Sequence, residues 1–106
     1  MDIELLVVRD CPHAAVAERL VHAALVELGI DVPVTTTVII DEQHAVQRGF
    51  VGSPTILVNG ADPFFQAGLP AGLACRIYPT TDGPAGTPTP GELRHALTRA
   101  AGRDNS

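Results

Sequence analysis

The feature that most constrains the fold is the order strand, helix, strand at the start of the chain. Residues 3–8 (Ile-Glu-Leu-Leu-Val-Val) form a short apolar run, which is the composition of a strand buried on both faces. Residues 13–28 have the pattern of an amphipathic helix, with Gly29 as its C-cap. Residues 34–40 are rich in β-branched side chains and predict a second strand. This order predicts two parallel strands joined by a right-handed crossover.

The rest of the chain continues as alternating helices and strands. The pattern predicts a helix at 42–48, strands at 55–58 and 73–78 with a loop at 59–72 between them, and a last helix at 91–101. Together these elements predict an α/β fold of order β-α-β-α-β-β-α, in which a four-stranded mixed sheet is flanked by helices. The predicted domain spans residues 1–101, and residues 102–106 are expected to form a flexible tail.

Size and charge exclude several classes of protein. The 106 residues suffice for one domain, and 45% hydrophobic against 18% charged residues is a globular composition. The net charge of −5, with basic residues scattered singly, argues against binding of nucleic acid or anionic membranes. No apolar stretch has the length of a membrane span, and the N-terminus opens directly into the first predicted strand with no charged n-region, so we expect no signal peptide. Two distant cysteines make neither a secreted disulfide framework nor a zinc motif, so a cytoplasmic protein is predicted.

The run Cys11-Pro12-His13 stands where the first strand meets the first helix. Pro12 suits the first helical position, which places Cys11 at the N-cap with free backbone N–H groups directed at its sulfur. The partial positive charge of the helix start favours the thiolate, which is the nucleophilic form. His13 could stabilise that thiolate or relay a proton, or it could be a solvated residue of the first turn. A small apolar cysteine under a helix end is the alternative interpretation of Cys11.

A second motif opens the third predicted strand, at residues 52–55 (Gly-Ser-Pro-Thr), where a proline is compatible with sheet hydrogen bonding. The Cys-Pro motif, the strand order and the run Gly-Phe-Val-Gly-Ser-Pro-Thr-Ile-Leu-Val-Asn-Gly together resemble the thioredoxin-like superfamily, short bacterial members included. The resemblance covers nearly the whole chain. It implies that Pro54 is a cis-proline beside the Cys11 sulfur, and that Ser53 offers its backbone N–H and C=O to an extended substrate. The substrate-binding residues implied are Pro12, Ser53, Pro54 and Thr55.

One position departs from the dithiol members of that superfamily. They carry a second cysteine three residues after the first, where this chain has Ala14, so only monothiol chemistry is expected at Cys11. Cys75 is a candidate resolving thiol. The predicted hairpin, however, sets Cys75 three residues, or roughly 10 Å, from the strand end nearest Cys11, whereas a disulfide needs Cα atoms within about 7 Å. A buried structural cysteine is therefore the preferred interpretation of Cys75.

The resulting hypothesis is a monothiol thiol–disulfide oxidoreductase with Cys11, His13 and Cys75 as candidate catalytic residues. Its expected substrate is a protein or small-molecule disulfide, with a low-molecular-weight thiol as cosubstrate and no bound cofactor. Two alternatives stay open: a binding module that uses the cis-proline groove without turnover, and a protein that handles soft metals or organomercurials, since thiolates select such ions. No spacing supplies further ligands to Cys11 and His13, so no metal site is predicted.

Overall fold

The computed structural model describes residues 1–104, and within them the chain forms an α/β structure. Its elements, in chain order, are β1 (Ile3–Val7), α1 (Ala14–Leu28), β2 (Val34–Val38), α2 (Glu42–Arg48), β3 (Thr55–Val58), β4 (Tyr78–Thr80), β5 (Gly83–Ala85) and α3 (Pro90–Asp104). Residues 102–104 of the predicted tail continue α3, whereas residues 105 and 106 lie outside the described residues. No helix in residues 1–104 is long and apolar enough to cross a membrane.

Strand β1 lies at the centre of a three-stranded sheet with the order β2-β1-β3. It pairs with β2 in parallel, as the strand–helix–strand opening predicts, and with β3 antiparallel. The register sets Leu6 opposite Thr55 at one end and Ile3 opposite Val58 at the other. The carboxyl end of β1 and the amino end of β3 therefore meet at the same edge of the sheet.

The predicted four-stranded mixed sheet of order β-α-β-α-β-β-α is wrong. The element order is β-α-β-α-β-β-β-α, and β4 and β5 form a separate antiparallel hairpin. The segment expected to be the fourth strand, residues 73–78, is mostly irregular, and its backbone pairing with the residues just before β3 is an isolated parallel bridge between Ser53 and Cys75. The physical reason is Arg76, whose side chain is buried and bonded to the 62–64 turn. Because these contacts fix the position of the arginine, the stretch does not continue along the edge of the sheet as a strand.

Two groups of buried side chains hold the sheet between helices. On one face, α1 and α3 pack against alternate residues of β1 (Ile3, Leu5 and Val7), and this side holds the larger cluster. On the other face, Leu6 packs with Ile39, Ala45 of α2 and Phe50. Because every residue of β1 except Glu4 is buried, β1 is apolar on both faces, as its composition predicts.

Candidate functional site

Cys11 lies in the turn that connects β1 to α1. Its thiol is free and half-buried. The predicted position at the helix N-cap is wrong, because α1 begins at Ala14 and its N-cap is His13. The Ala14 N–H donates to the Cys11 carbonyl at 3.2 Å, so Pro12 and His13 form a turn before the helix instead of its first residues. Cys11 therefore precedes the N-cap by two residues, and the helix start is not directed at its sulfur in the way the sequence suggests.

His13 is held in place by a distant part of the chain. Its ring lies against Gly86, just after β5: a β-carbon at residue 86 would be 2.6 Å from three atoms of the imidazole. No real β-carbon approaches a ring that closely, so only glycine leaves room for the histidine in this position. The side chain two residues after Cys11 is thus packed under the end of the β4–β5 hairpin, and it is not a freely solvated residue of a first helical turn.

The 52–55 segment lies at the same edge of the sheet as the Cys11 turn. The Ser53–Pro54 peptide bond is cis, as predicted. Ser53 is fully buried, and its Oγ accepts the Val8 N–H at 3.1 Å, which ties the start of β3 to the end of β1. The Thr55 hydroxyl donates to the Gly52 carbonyl at 2.6 Å. This geometry brings the Ser53–Pro54 segment to the place where β1 turns toward Cys11.

The backbone of Ser53 is already bonded within the chain. Its N–H donates to the Ala74 carbonyl at 2.8 Å, and its carbonyl accepts the Arg76 N–H at 2.9 Å. These are the two groups that the family resemblance assigns to an extended substrate. An added peptide strand would have to displace residues 74–76 before it could pair with Ser53.

Cys75 is the residue between those two hydrogen bonds, and its side chain is exposed. The preferred interpretation from sequence, a buried structural cysteine, is therefore wrong. The distance argument behind it assumed an antiparallel hairpin between residues 55–58 and 73–78, which does not form. Instead, the parallel bridge sets Cys75 directly beside Ser53. Both cysteines consequently belong to the edge of the sheet where β1 ends and β3 begins.

A buried arginine, which the sequence analysis did not single out, anchors the Cys75 segment. The Arg76 Nη1 lies 2.7 Å from the Asp62 Oδ2, and its Nη2 donates to the Phe64 carbonyl. The guanidinium also covers the Tyr78 ring, with 4.4 Å between the Arg76 Cζ and the ring centroid. A charged residue inside the apolar run Leu-Ala-Cys-Arg-Ile-Tyr was the available signal, because a buried arginine needs a carboxylate partner.

Tyr78 and Gly52 make further contacts with Pro54 and Arg76. The Tyr78 hydroxyl donates to the Pro54 carbonyl, and burial raises the pKa of the hydroxyl well above its usual range, so it stays a protonated donor. A β-carbon on Gly52 would lie 2.8 Å from the Arg76 Cβ, and the Gly52 φ of +138° also favours glycine. Pro54 and the segment that carries Cys75 are therefore held by one buried group of contacts.

Two adjacent phenylalanines in the 59–72 loop, Phe64 and Phe65, are candidates by sequence for an apolar cover of the site or for core packing, and they have different positions. Phe64 packs edge-on against Tyr78, with ring centroids 5.6 Å apart, and contacts the main core. Phe65 is 74% exposed. Phe64 is thus a core residue that supports the Arg76 contacts, and the pair does not form a common apolar surface.

Across residues 1–104, no group of three or more His, Cys, Asp and Glu side chains is arranged to hold a metal ion. Comparison of the chain with protein-family models, with curated proteins and with solved structures gives no significant match. The site must therefore be interpreted from its own chemistry, namely two free thiols, a packed imidazole and a rigid segment that separates them.

Proposed function

We propose that this protein is a thiol–disulfide oxidoreductase in which Cys11 is the attacking thiol. The observation that carries the proposal is the placement of two free cysteines at one edge of the central sheet, one in the turn after β1 and one paired to the start of β3. The sequence resemblance to thioredoxin-like proteins, for which the Cys-Pro motif and the run around Pro54 are the specific part, supports the same chemistry.

In the first step the Cys11 thiolate attacks one sulfur of a disulfide. A new S–S bond forms between Cys11 and that sulfur, the original S–S bond breaks, and the other sulfur leaves as a thiolate with the bonding electron pair. The thiol proton of Cys11 passes to solvent or to the His13 ring, which lies two residues away. The product is a mixed disulfide on Cys11.

In the second step Cys75 acts as the resolving thiol. Its thiolate attacks the Cys11 sulfur, a Cys11–Cys75 bond forms, and the substrate sulfur leaves as a second thiolate. The two cysteines are thereby oxidised by two electrons, and the substrate disulfide is reduced to two thiols. Two molecules of a low-molecular-weight thiol, different from the thiol of the substrate, then reduce the Cys11–Cys75 disulfide: the first forms a mixed disulfide with one cysteine, and the second displaces it and leaves with it as their own disulfide, which closes the cycle. Ala14 has no thiol and cannot resolve the mixed disulfide. Cys75 therefore takes the role that the second cysteine of the helix start has in dithiol proteins.

The occupied backbone of Ser53 determines the class of substrate. Since residues 74–76 already bond both its N–H and its C=O, an extended peptide finds no free pairing groups there. A small mixed disulfide, such as one made from a low-molecular-weight thiol, needs only access to the half-exposed Cys11 sulfur. We therefore favour a small-molecule disulfide over a protein disulfide, and catalysis over a binding module that would use this groove. Two free cysteines also suit a reducing compartment, which supports the cytoplasm as the location.

The test is a reaction of the reduced protein with glutathione disulfide, followed by mass mapping. The wild type should lose two hydrogen atoms and form a Cys11–Cys75 disulfide. Cys75→Ser should instead accumulate one glutathionyl group on Cys11. Cys11→Ser should react more slowly than wild type by about an order of magnitude. Ala74→Ser, at the exposed neighbour of Cys75, is the matched control and should behave as wild type.

Two results would contradict different parts of the proposal. Reaction at Cys75 in preference to Cys11, or no reaction of either thiol, would overturn the oxidoreductase itself. A wild-type protein that keeps a glutathionyl group on Cys11 would leave the first step standing and remove the resolving role of Cys75.

A further inference from the structure

A cavity of about 640 Å³ lies away from the two cysteines, between α3 and the loop that follows β3. Val58, one of its lining residues, ends β3 opposite Ile3, the first residue of β1, whereas Cys11 follows the other end of β1. The volume falls within the range of small-molecule sites. One wall is apolar and includes Val58, Phe64, Ala96 and Ala100.

The carboxylates at this cavity are already bonded within the protein. Asp62 pairs with the Arg76 guanidinium through one oxygen and accepts the Phe64 N–H at 2.8 Å through the other. The Glu92 Oε1 accepts both the N–H and the hydroxyl of Thr89, in the capping box of α3. Both carboxylate oxygens of Asp62 and one of Glu92 are thus occupied by groups of the protein.

The two side chains that could donate hydrogen bonds to a ligand in the cavity differ from these acids. His95 and Arg99 lie one turn apart on α3, and both line the cavity with exposed side chains. Among the described residues, neither makes an ion pair. Arg99 supplies a permanent positive charge, and the His95 ring supplies an N–H donor. An apolar wall beside a free cation and a free donor fits a ligand with an apolar body and one anionic end.

We propose that this cavity binds a small carboxylate with an apolar tail. The tail packs against Val58, Phe64 and the two alanines of α3, and the carboxylate accepts hydrogen bonds from Arg99 and His95. The cavity lies at the end of β1 opposite the Cys11 turn, and neither cysteine lines it.

The experiment titrates the isotope-labelled wild-type protein with octanoate and follows amide chemical shifts, with affinities from calorimetry. Octanoate should shift the amides of residues that line the cavity. Octanol, octylamine and acetate should bind at least about fivefold more weakly, because each lacks the anionic end or the tail. Arg99→Gln should weaken octanoate binding about three- to fivefold, the range for an exposed ion pair. His95→Gln should have a smaller effect in the same direction.

Arg94→Gln is the matched control, since Arg94 lies on α3 but pairs with Glu27 and does not line the cavity. It should leave octanoate affinity unchanged. Stronger binding of octylamine than of octanoate, equal binding of octanol, or equal effects of the Arg94 and Arg99 substitutions would each overturn the proposal. Absence of octanoate shifts at the cavity would overturn it as well.

Discussion

Arg76 makes the most consequential contacts of any single side chain at the thiol site. It is 2% exposed and joins Asp62, the Phe64 carbonyl and the Tyr78 ring, while its backbone N–H holds Ser53. A buried guanidinium without its carboxylate would be strongly unfavourable, so the burial of Arg76 depends on Asp62. The position of Cys75 beside Ser53 is therefore a consequence of the residue that follows it.

Replacement of this arginine should be costly even when its charge is kept. Arg76→Lys should lower the free energy of unfolding by about 2–4 kcal/mol, because an ammonium group cannot reproduce both guanidinium bonds and the stacking on Tyr78. Arg48→Lys, at a half-exposed ion pair with Glu4, is the control and should cost about 0.5 kcal/mol. Urea denaturation of both variants measures the difference, and equal costs would show that the buried contacts contribute little.

Individual residues also mark where sequence reasoning succeeds. The cis peptide at Ser53–Pro54 was predicted from a motif, because local chemistry and a resemblance to a known family both point to it. The exposure of Cys75 could not be predicted, since it depends on Arg76 reaching Asp62 across a long loop. The Gly-Ser-Pro-Thr motif is therefore predictable from adjacent residues, whereas the surroundings of Cys75 are decided by contacts distant in sequence.

At the scale of elements, periodicity works where one face of a helix is clearly apolar. The apolar spacing of the last helix predicts that Leu93, Ala96, Leu97 and Ala100 face inward, and all four are buried in α3. In α1 apolar residues occur nearly all round. The pattern places Val16, Leu20, Ala23, Ala24 and Leu28 inward; Ala24 is buried and Leu20 and Leu28 pack partly buried on the core, but the other buried positions are Ala17, Val21 and Leu25. The exposed Val26 shows the same ambiguity, because a helix with apolar residues on most faces does not specify which one packs.

The stability contributed by Glu4, whose contacts link β1 to β2 and α2, should depend on pH. Glu4 accepts the Thr37 hydroxyl at 2.6 Å and pairs with Arg48, and these contacts, that from Thr37 foremost, lower the pKa of its carboxyl. A carboxyl whose pKa is lowered on folding stabilises the protein above its unfolded pKa, and this stabilisation is lost as the pH falls through the folded value.

Glu4→Gln should therefore lower the free energy of unfolding by about 1 kcal/mol or less at neutral pH, given that the pair is partly exposed. The difference from wild type should shrink as the medium is acidified below the titration of this carboxyl. Urea denaturation across the acidic range measures it. A difference that stays constant with pH would show that the charge of Glu4 contributes nothing.

At the scale of the whole molecule, the two ends of β1 carry different chemistry. The carboxyl end leads to Cys11 and faces Ser53 and Cys75, while the amino end lies beside Val58 and the cavity on α3. The sequence predicts the α/β class and the parallel pairing of β1 with β2, because both follow from local patterns and a short crossover. It does not predict the path of residues 59–89, since that path is set by Arg76, Tyr78 and a hairpin outside the main sheet.

The β4–β5 hairpin meets the thiol site at Tyr78, which bonds to Pro54, and again just after β5, where Gly86 packs against His13. The second contact provides a test of how the hairpin is placed. Gly86 is not among the glycines with positive φ, so its backbone would accept alanine, and the histidine ring is the obstacle. Gly86→Ala should lower the free energy of unfolding by about 1–3 kcal/mol, the usual cost of forcing a methyl group into occupied space.

The same substitution should be nearly neutral in a His13→Ala background, because the ring that it meets is then absent. Thermal or urea denaturation of the two single variants and the double variant gives the coupling between the positions. Gly91→Ala is the control: its β-carbon would meet only the end of the Arg94 side chain, at 3.7 Å, so it should be neutral or slightly stabilising. Equal costs of Gly86→Ala with and without the His13 ring would mean that the hairpin does not pack on the residue beside Cys11.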